Sequence, residues 1–204
     1  TTRFILNNFS PTAKVISFDT SSLHAPVNPS VSLSIRFSEP MDRASLSVTF
    51  NNPIDASQVS TQWIDDENAV CIIRFTSANE GMHKMTVTCT DAQGDALDFP
   101  EGKFTYNFPI DLTPPETKVS RSANLEPLNI VQENGRNTAH VPPGVEIRLT
   151  SSDNLSAVTT QYGINGGALQ PYNGELLPDV DCELQFYSRD EYGNVEATND
   201  VAII

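Results

Sequence analysis

Apolar residues fall on every second position in segment after segment of this chain, and that period belongs to β-strands with one buried face. Val31, Leu33, Ile35 and Phe37 alternate with Ser32, Ser34, Arg36 and Ser38. The pattern returns at 46–50, 71–75, 85–89 and 104–108, and again at 145–149, 158–164, 183–187 and 195–204. Turn-forming residues separate the runs, at 39–42, 51–53, 65–68, 79–81 and 91–94. Nowhere do apolar residues recur at i, i+3, i+4 and i+7 over three turns, so no amphipathic helix is expected. Short strands spaced by about 8–12 residues with no helix between them predict an all-β protein of antiparallel sandwiches.

The sharpest break is Asp111-Leu-Thr-Pro-Pro-Glu116, where two prolines fix φ and remove two N–H donors between alternating runs. It reads as a short semi-rigid linker at 111–116. The expected domains are 1–110 and 111–204, each about 100 residues, a common size for one core. Charge is shared by both: 7 basic against 12 acidic side chains in the first (net −5), and 5 against 14 in the second (net −9). A chain carrying −14 has no surface suited to neutralising a phosphate backbone, which excludes nucleic acid as a partner. No apolar run approaches the roughly 18 residues of a membrane span, and the start at Thr1 reads as a processed protein or a piece of one.

The two halves share one turn signature. Asp91-Ala-Gln-Gly94 and Asp190-Glu-Tyr-Gly193 each follow an alternating run and place Asp three residues before Gly. Asp bonds the backbone of its own turn while Gly takes a positive φ, so the motif predicts a hairpin between the last two strands of each half. Asn165-Gly-Gly167 predicts a further hairpin.

Phe37-Ser-Glu-Pro-Met-Asp42, followed by Met85-Thr-Val-Thr-Cys-Thr-Asp-Ala-Gln-Gly94, resembles the bacterial immunoglobulin-like (Ig-like) domains of S-layer and other surface proteins. In the second half, Thr113-Pro-Pro-Glu-Thr117, Ser152-Asp-Asn-Leu-Ser156, Tyr162-Gly-Ile-Asn-Gly-Gly167, Pro171-Tyr-Asn-Gly174 and Tyr187-Ser-Arg-Asp-Glu-Tyr-Gly-Asn194 are similar to Ig-like repeats of bacterial outer-surface proteins and accessory modules of secreted glycosidases. The resemblance implies two tandem Ig-like antiparallel β-sandwich domains and a non-catalytic structural or adhesive module. It places that module in a larger bacterial protein, extracellular or at the cell surface, with a protein or glycan ligand. The alternative is an accessory carbohydrate-binding or spacer pair of a secreted polysaccharide-degrading enzyme. One departure is an Asn-rich stretch at 124–137, read as a tolerated surface insertion or an exposed loop with a role of its own.

Catalytic chemistry finds little support. The three histidines, His24, His83 and His140, read as surface residues, and there is no Gly-x-Ser-x-Gly elbow or phosphate-binding glycine loop. Spacing alone does not exclude a carboxylate pair, but Asp65-Asp-Glu67 reads as a solvated turn. The expectation is no enzyme, with no catalytic or cofactor-binding residue assigned. Asp111, Asp153, Asn154, Asp190, Glu191 and Asn194 offer oxygen donors for calcium if their loops meet at one end of a sandwich. Some adhesins similar to this chain stiffen their joints with calcium at an Asp-x-Thr-x-Pro linker. None of these segments has Asp-x-Asp-x-Asp-Gly spacing, so hydrogen bonding in turns is the preferred role and no metal ligand is assigned.

Cys71 and Cys89 lie in phase with apolar neighbours, leaving open a bridge between them or two buried thiols; Cys182 has no second cysteine in its half. Trp63 alternates with Val59 and Thr61, as in a half-buried strand. Tyr162, Tyr172, Tyr187 and Tyr192 gather in the second half, where exposed rings would stack on sugars. Asn8-Phe-Ser10 and Asn154-Leu-Ser156 match the glycosylation acceptor pattern, which carries no meaning in a bacterial protein.

Overall fold

A computed structural model describes residues 9–24, 29–51, 54–177 and 181–204. Asn8 of the first acceptor pattern, and Asn52 and Pro53 of one expected turn, lie outside the described residues. The chain divides into two compact units, Thr1–Ile110 and Asp111–Ile204, each built from two β-sheets.

The first unit contains β1 (Ala13–Asp19), β2 (Ser30–Phe37), β3 (Ser47–Phe50), β4 (Val59–Trp63), β5 (Asn68–Arg74), β6 (Gly81–Thr88) and β7 (Phe104–Ile110). They form a sheet ordered β1-β2-β5-β4 and a second ordered β3-β6-β7, all pairs antiparallel. Alternation decides which side chains turn inward: Val31, Leu33, Ile35 and Phe37 of β2 are buried, and Cys71 of β5 lies opposite Leu33. Met85, Val87 and Phe108 supply the other sheet's buried residues. Full burial of side chains of this size contributes about 1.5–3 kcal/mol each. Trp63 is half-buried and stacks on Phe37 at 5.5 Å.

His83 corrects the expectation of a surface histidine. It occupies an inward position of β6, is 3% exposed, stacks on Phe108 and places Nε2 2.6 Å from the carbonyl of Asn79. The period-2 phase of Met85 and Val87 already put position 83 on the buried face. His24 and His140 are exposed, His140 pairing with Glu133 at 2.8 Å. Cys71, Cys89 and Cys182 are all free thiols. Burial pushes the Cys71 thiol up to about 12, and Cys89 sits 3.3 Å from the Ser45 hydroxyl.

The second unit contains β8 (Glu116–Arg121), β9 (Ile130–Glu133), β10 (Arg136–Ala139), β11 (Ile147–Ser152), β12 (Val158–Ile164), β13 (Gln170–Pro171), β14 (Cys182–Asp190) and β15 (Asn199–Ile203). One sheet runs β13-β12-β14-β15-β10-β9 and the other pairs β8 with β11. Only β10 and β15 pair in parallel among these described strands. The core joins Val119, Ile147 and Leu149 of the small sheet to Ala139, Leu184, Phe186, Val201 and Ile203 of the large one.

The 124–137 stretch is not a loop throughout. Asn134 and Gly135 both take positive φ, 52° and 79°, and close a two-residue hairpin between β9 and β10. Thr138 and Ala139 of β10 are buried, so the stretch belongs to the sheet. The last strand begins at Asn199, not at Val195, which is exposed. Among the described residues, every helical segment is a three-residue 3₁₀ turn, and no helix is long and apolar enough to cross a membrane.

Candidate functional site

The repeated turn is the same structure in both units. Gly94 and Gly193 take φ of 91° and 89°, and their N–H groups donate to the carbonyls of Asp91 and Asp190. Oδ1 of Asp91 accepts from the N–H groups of Gln93 and Asp95, at 2.9 and 2.8 Å. Oδ1 of Asp190 accepts from the N–H of Asn194 at 2.8 Å. The fourth residue on differs: Asp95 is exposed, whereas Asn194 is buried.

Strand register sets what meets Asp190. Val158 at the start of β12 lies opposite Asp190 at the end of β14, and Glu116 of β8 lies opposite Ser152 of β11. Residues just before β8 and just after β11 therefore leave their sheet together. Asp153 directly follows β11, and Asp111 opens the segment 111–115 that leads into β8. One carboxylate oxygen from each of Asp111, Asp153 and Asp190 lies within 4.8 Å of the others.

Turn bonds hold each carboxylate. Oδ1 of Asp153 accepts from the N–H groups of Leu155 (2.9 Å) and Ser156 (3.0 Å) and from the Ser156 hydroxyl (3.2 Å). Oδ1 of Asp111 accepts from the Thr113 N–H at 3.3 Å. The Asn194 side-chain amide donates to the carbonyl and Oδ1 of Asp111 and, at 2.5 Å, to Oδ2 of Asp190. Asp111, expected as a linker residue, is thus 0% exposed and bonded within the second unit.

Two oxygens stand apart: Oδ2 of Asp111 and Oδ2 of Asp153 are buried and accept no hydrogen bond. None of the ion pairs among the described residues involves these three acids. Desolvation, reinforced by the charges of Asp153 and Asp190, pushes the Asp111 carboxyl up to about 6. Burial also acts to raise Asp153, but the donors from Leu155 and Ser156 outweigh it and hold that carboxyl below its ordinary value.

A ladder of hydroxyls adjoins the cluster. Ser188, two residues before Asp190 on the same face of β14, lies 2.5 Å from Thr117 of β8 and 2.7 Å from Thr160 of β12. Thr160 in turn donates to Ser151. Glu196 accepts the Thr117 N–H at 3.0 Å. Sequence reasoning did not single out these residues, because small polar side chains on an inward face interrupt the apolar period and leave no motif.

The other candidates lie elsewhere. Asn154 and Glu191 are exposed, and Asp65-Asp-Glu67 is a surface turn in which Asp66 pairs with Arg43. Tyr162 is buried and Tyr172 half-buried, meeting edge-on at 5.5 Å, and the Tyr172 hydroxyl donates to the Glu175 carbonyl at 2.7 Å. A shallow concavity of about 340 Å³ on the large sheet is lined by residues including Arg136, Glu183, Gln185 and Asp200, with Arg136 and Glu183 ion-paired.

No protein-family model matches this chain, and neither does any curated protein. Among solved structures, the chain is similar to fibronectin(III)-like modules of Clostridium thermocellum CbhA, with 10% identity, a TM-score of 0.37 and coverage of 95% of this chain and 93% of that one. It is also similar to the tandem Ig repeats of Dlar, with 10% identity, a TM-score of 0.29 and coverage of 86% and 88%.

Proposed function

We propose that the chain is a non-catalytic spacer, a pair of Ig-like modules that positions other parts of a larger bacterial secreted or cell-surface protein. The observation that carries this reading is the use of the second unit's tyrosines. Tyr162 and Tyr172, which a sugar-stacking platform would present, pack against each other, and their hydroxyls are engaged by the Gln170 side chain and the Glu175 carbonyl. The resemblance of the 37–42 and 187–194 segments to bacterial surface modules supports the setting. Rigid sandwiches suit this task, since closed cores hold the two ends of each unit at fixed separation.

A panel of soluble polysaccharides and immobilised glycans, screened against the full chain, tests the reading. A spacer gives no saturable binding. Saturable glycan binding that is lost in Tyr187→Ala or Tyr192→Ala would replace it with an accessory carbohydrate-binding module. The parent gene offers a second check: a surface stalk repeats such modules on either side, whereas an accessory pair adjoins a catalytic domain.

A further inference from the structure

The geometry points to a site for a hard divalent cation of the calcium class, formed by Asp111, Asp153 and Asp190 inside the second unit. It is independent of the spacer reading, because a cation held within one sandwich serves any task the chain performs.

Turn chemistry accounts for only part of this cluster. Oδ1 of Asp153 is saturated by three donors, and both oxygens of Asp190 are engaged by Asn194. The Asp111 Oδ2 belongs to a clustered carboxylate that is 0% exposed, and it makes no hydrogen bond; the Asp153 Oδ2 makes none either. A buried acceptor without a partner is costly, and a charged one more so. The sequence supplies no lysine or arginine to this spot, although Arg148 and Lys118 sit on the two strands that lead into it. A cation provides the missing partner for both oxygens and offsets three like charges at once.

The donor set selects the type of ion. All three ligands are carboxylates, with no Cys or His among them, which disfavours zinc and copper. Calcium takes 6–8 oxygens at 2.3–2.6 Å in adaptable geometry, whereas magnesium demands a strict octahedron and keeps its water.

Isothermal titration of calcium chloride into the full chain, with thermal unfolding in calcium and in EDTA, tests the site. The expected result is one calcium per chain, weaker magnesium binding, and an unfolding temperature several degrees lower in EDTA. Asp153→Asn lowers calcium affinity at least about tenfold, because affinity follows the number of charged ligands, while Asp200→Asn on the exposed sheet face leaves it unchanged. No binding heat together with no EDTA effect would overturn the site. So would wild-type affinity in Asp153→Asn, which would assign the ion to the diffuse acidic surface. If Asp153→Asn does not fold, terbium luminescence on the wild-type chain decides: quenching by calcium supports the site, and luminescence indifferent to calcium contradicts it.

Discussion

Asn194 donates its side-chain amide to the backbone carbonyl of Asp111, 83 residues earlier in the chain, at 3.1 Å. The bond ties the segment that opens the second unit to the turn that follows β14. The same amide contacts Oδ2 of Asp190, so one buried side chain organises two of the three clustered carboxylates. The corresponding turn of the first unit has the exposed Asp95 at this position and makes no such tie.

Asn194→Ala removes these bonds and strands buried acceptors on Asp111 and Asp190. The expected cost is about 1–3 kcal/mol. For a domain of this size each kcal/mol lowers the melting temperature by roughly 4–8 °C. Denaturant unfolding followed on the second unit measures it; Asp95→Ala in the first unit serves as the mild comparison.

Gly163 sits on β12 where an added Cβ would lie 2.8 Å from the carbonyl oxygen of Gly167. That oxygen belongs to the Asn165-Gly166 turn and yields only if the turn moves. Gly163→Ala therefore destabilises the second unit by about 1–3 kcal/mol, readable as a lower denaturation midpoint with an unchanged slope.

Phe186 is fully buried in the second unit's core and Leu33 in the first unit's. Phe186→Ala should cost about 3–5 kcal/mol and Leu33→Ala about 2–5 kcal/mol. Each variant is expected to lower one calorimetric transition and spare the other, because the two residues belong to different cores.

The cysteines give a chemical test. With Cys71 and Cys89 buried and unbridged, a thiol reagent should label at most the half-buried Cys182 in the native chain, and all three after denaturation without reductant. Detection of one thiol after denaturation would indicate a Cys71–Cys89 bridge.

Much of this architecture was legible because strands with one buried face print their period directly. β2, β6 and β14 each alternate apolar and polar residues, and each forms where that pattern lies. β10 was not legible: Arg136-Asn-Thr-Ala139 carries no apolar alternation, and its place comes from the Asn134-Gly135 turn and parallel pairing with β15. The site divides similarly. The Asp190 turn is a local event, visible as Asp three residues before Gly. The meeting of Asp111 with Asp153 and Asp190 depends on the registers of β8 with β11 and of β12 with β14, which no local spacing encodes.

Single-molecule stretching of the full chain tests the central claim, a pair of separately closed sandwiches acting as a spacer. The account predicts two discrete unfolding events, releasing about 35–40 nm for 1–110 and about 30–34 nm for 111–204 before subtraction of the folded end-to-end distances. A single event releasing the whole chain, or extension without a resolved barrier, would contradict it.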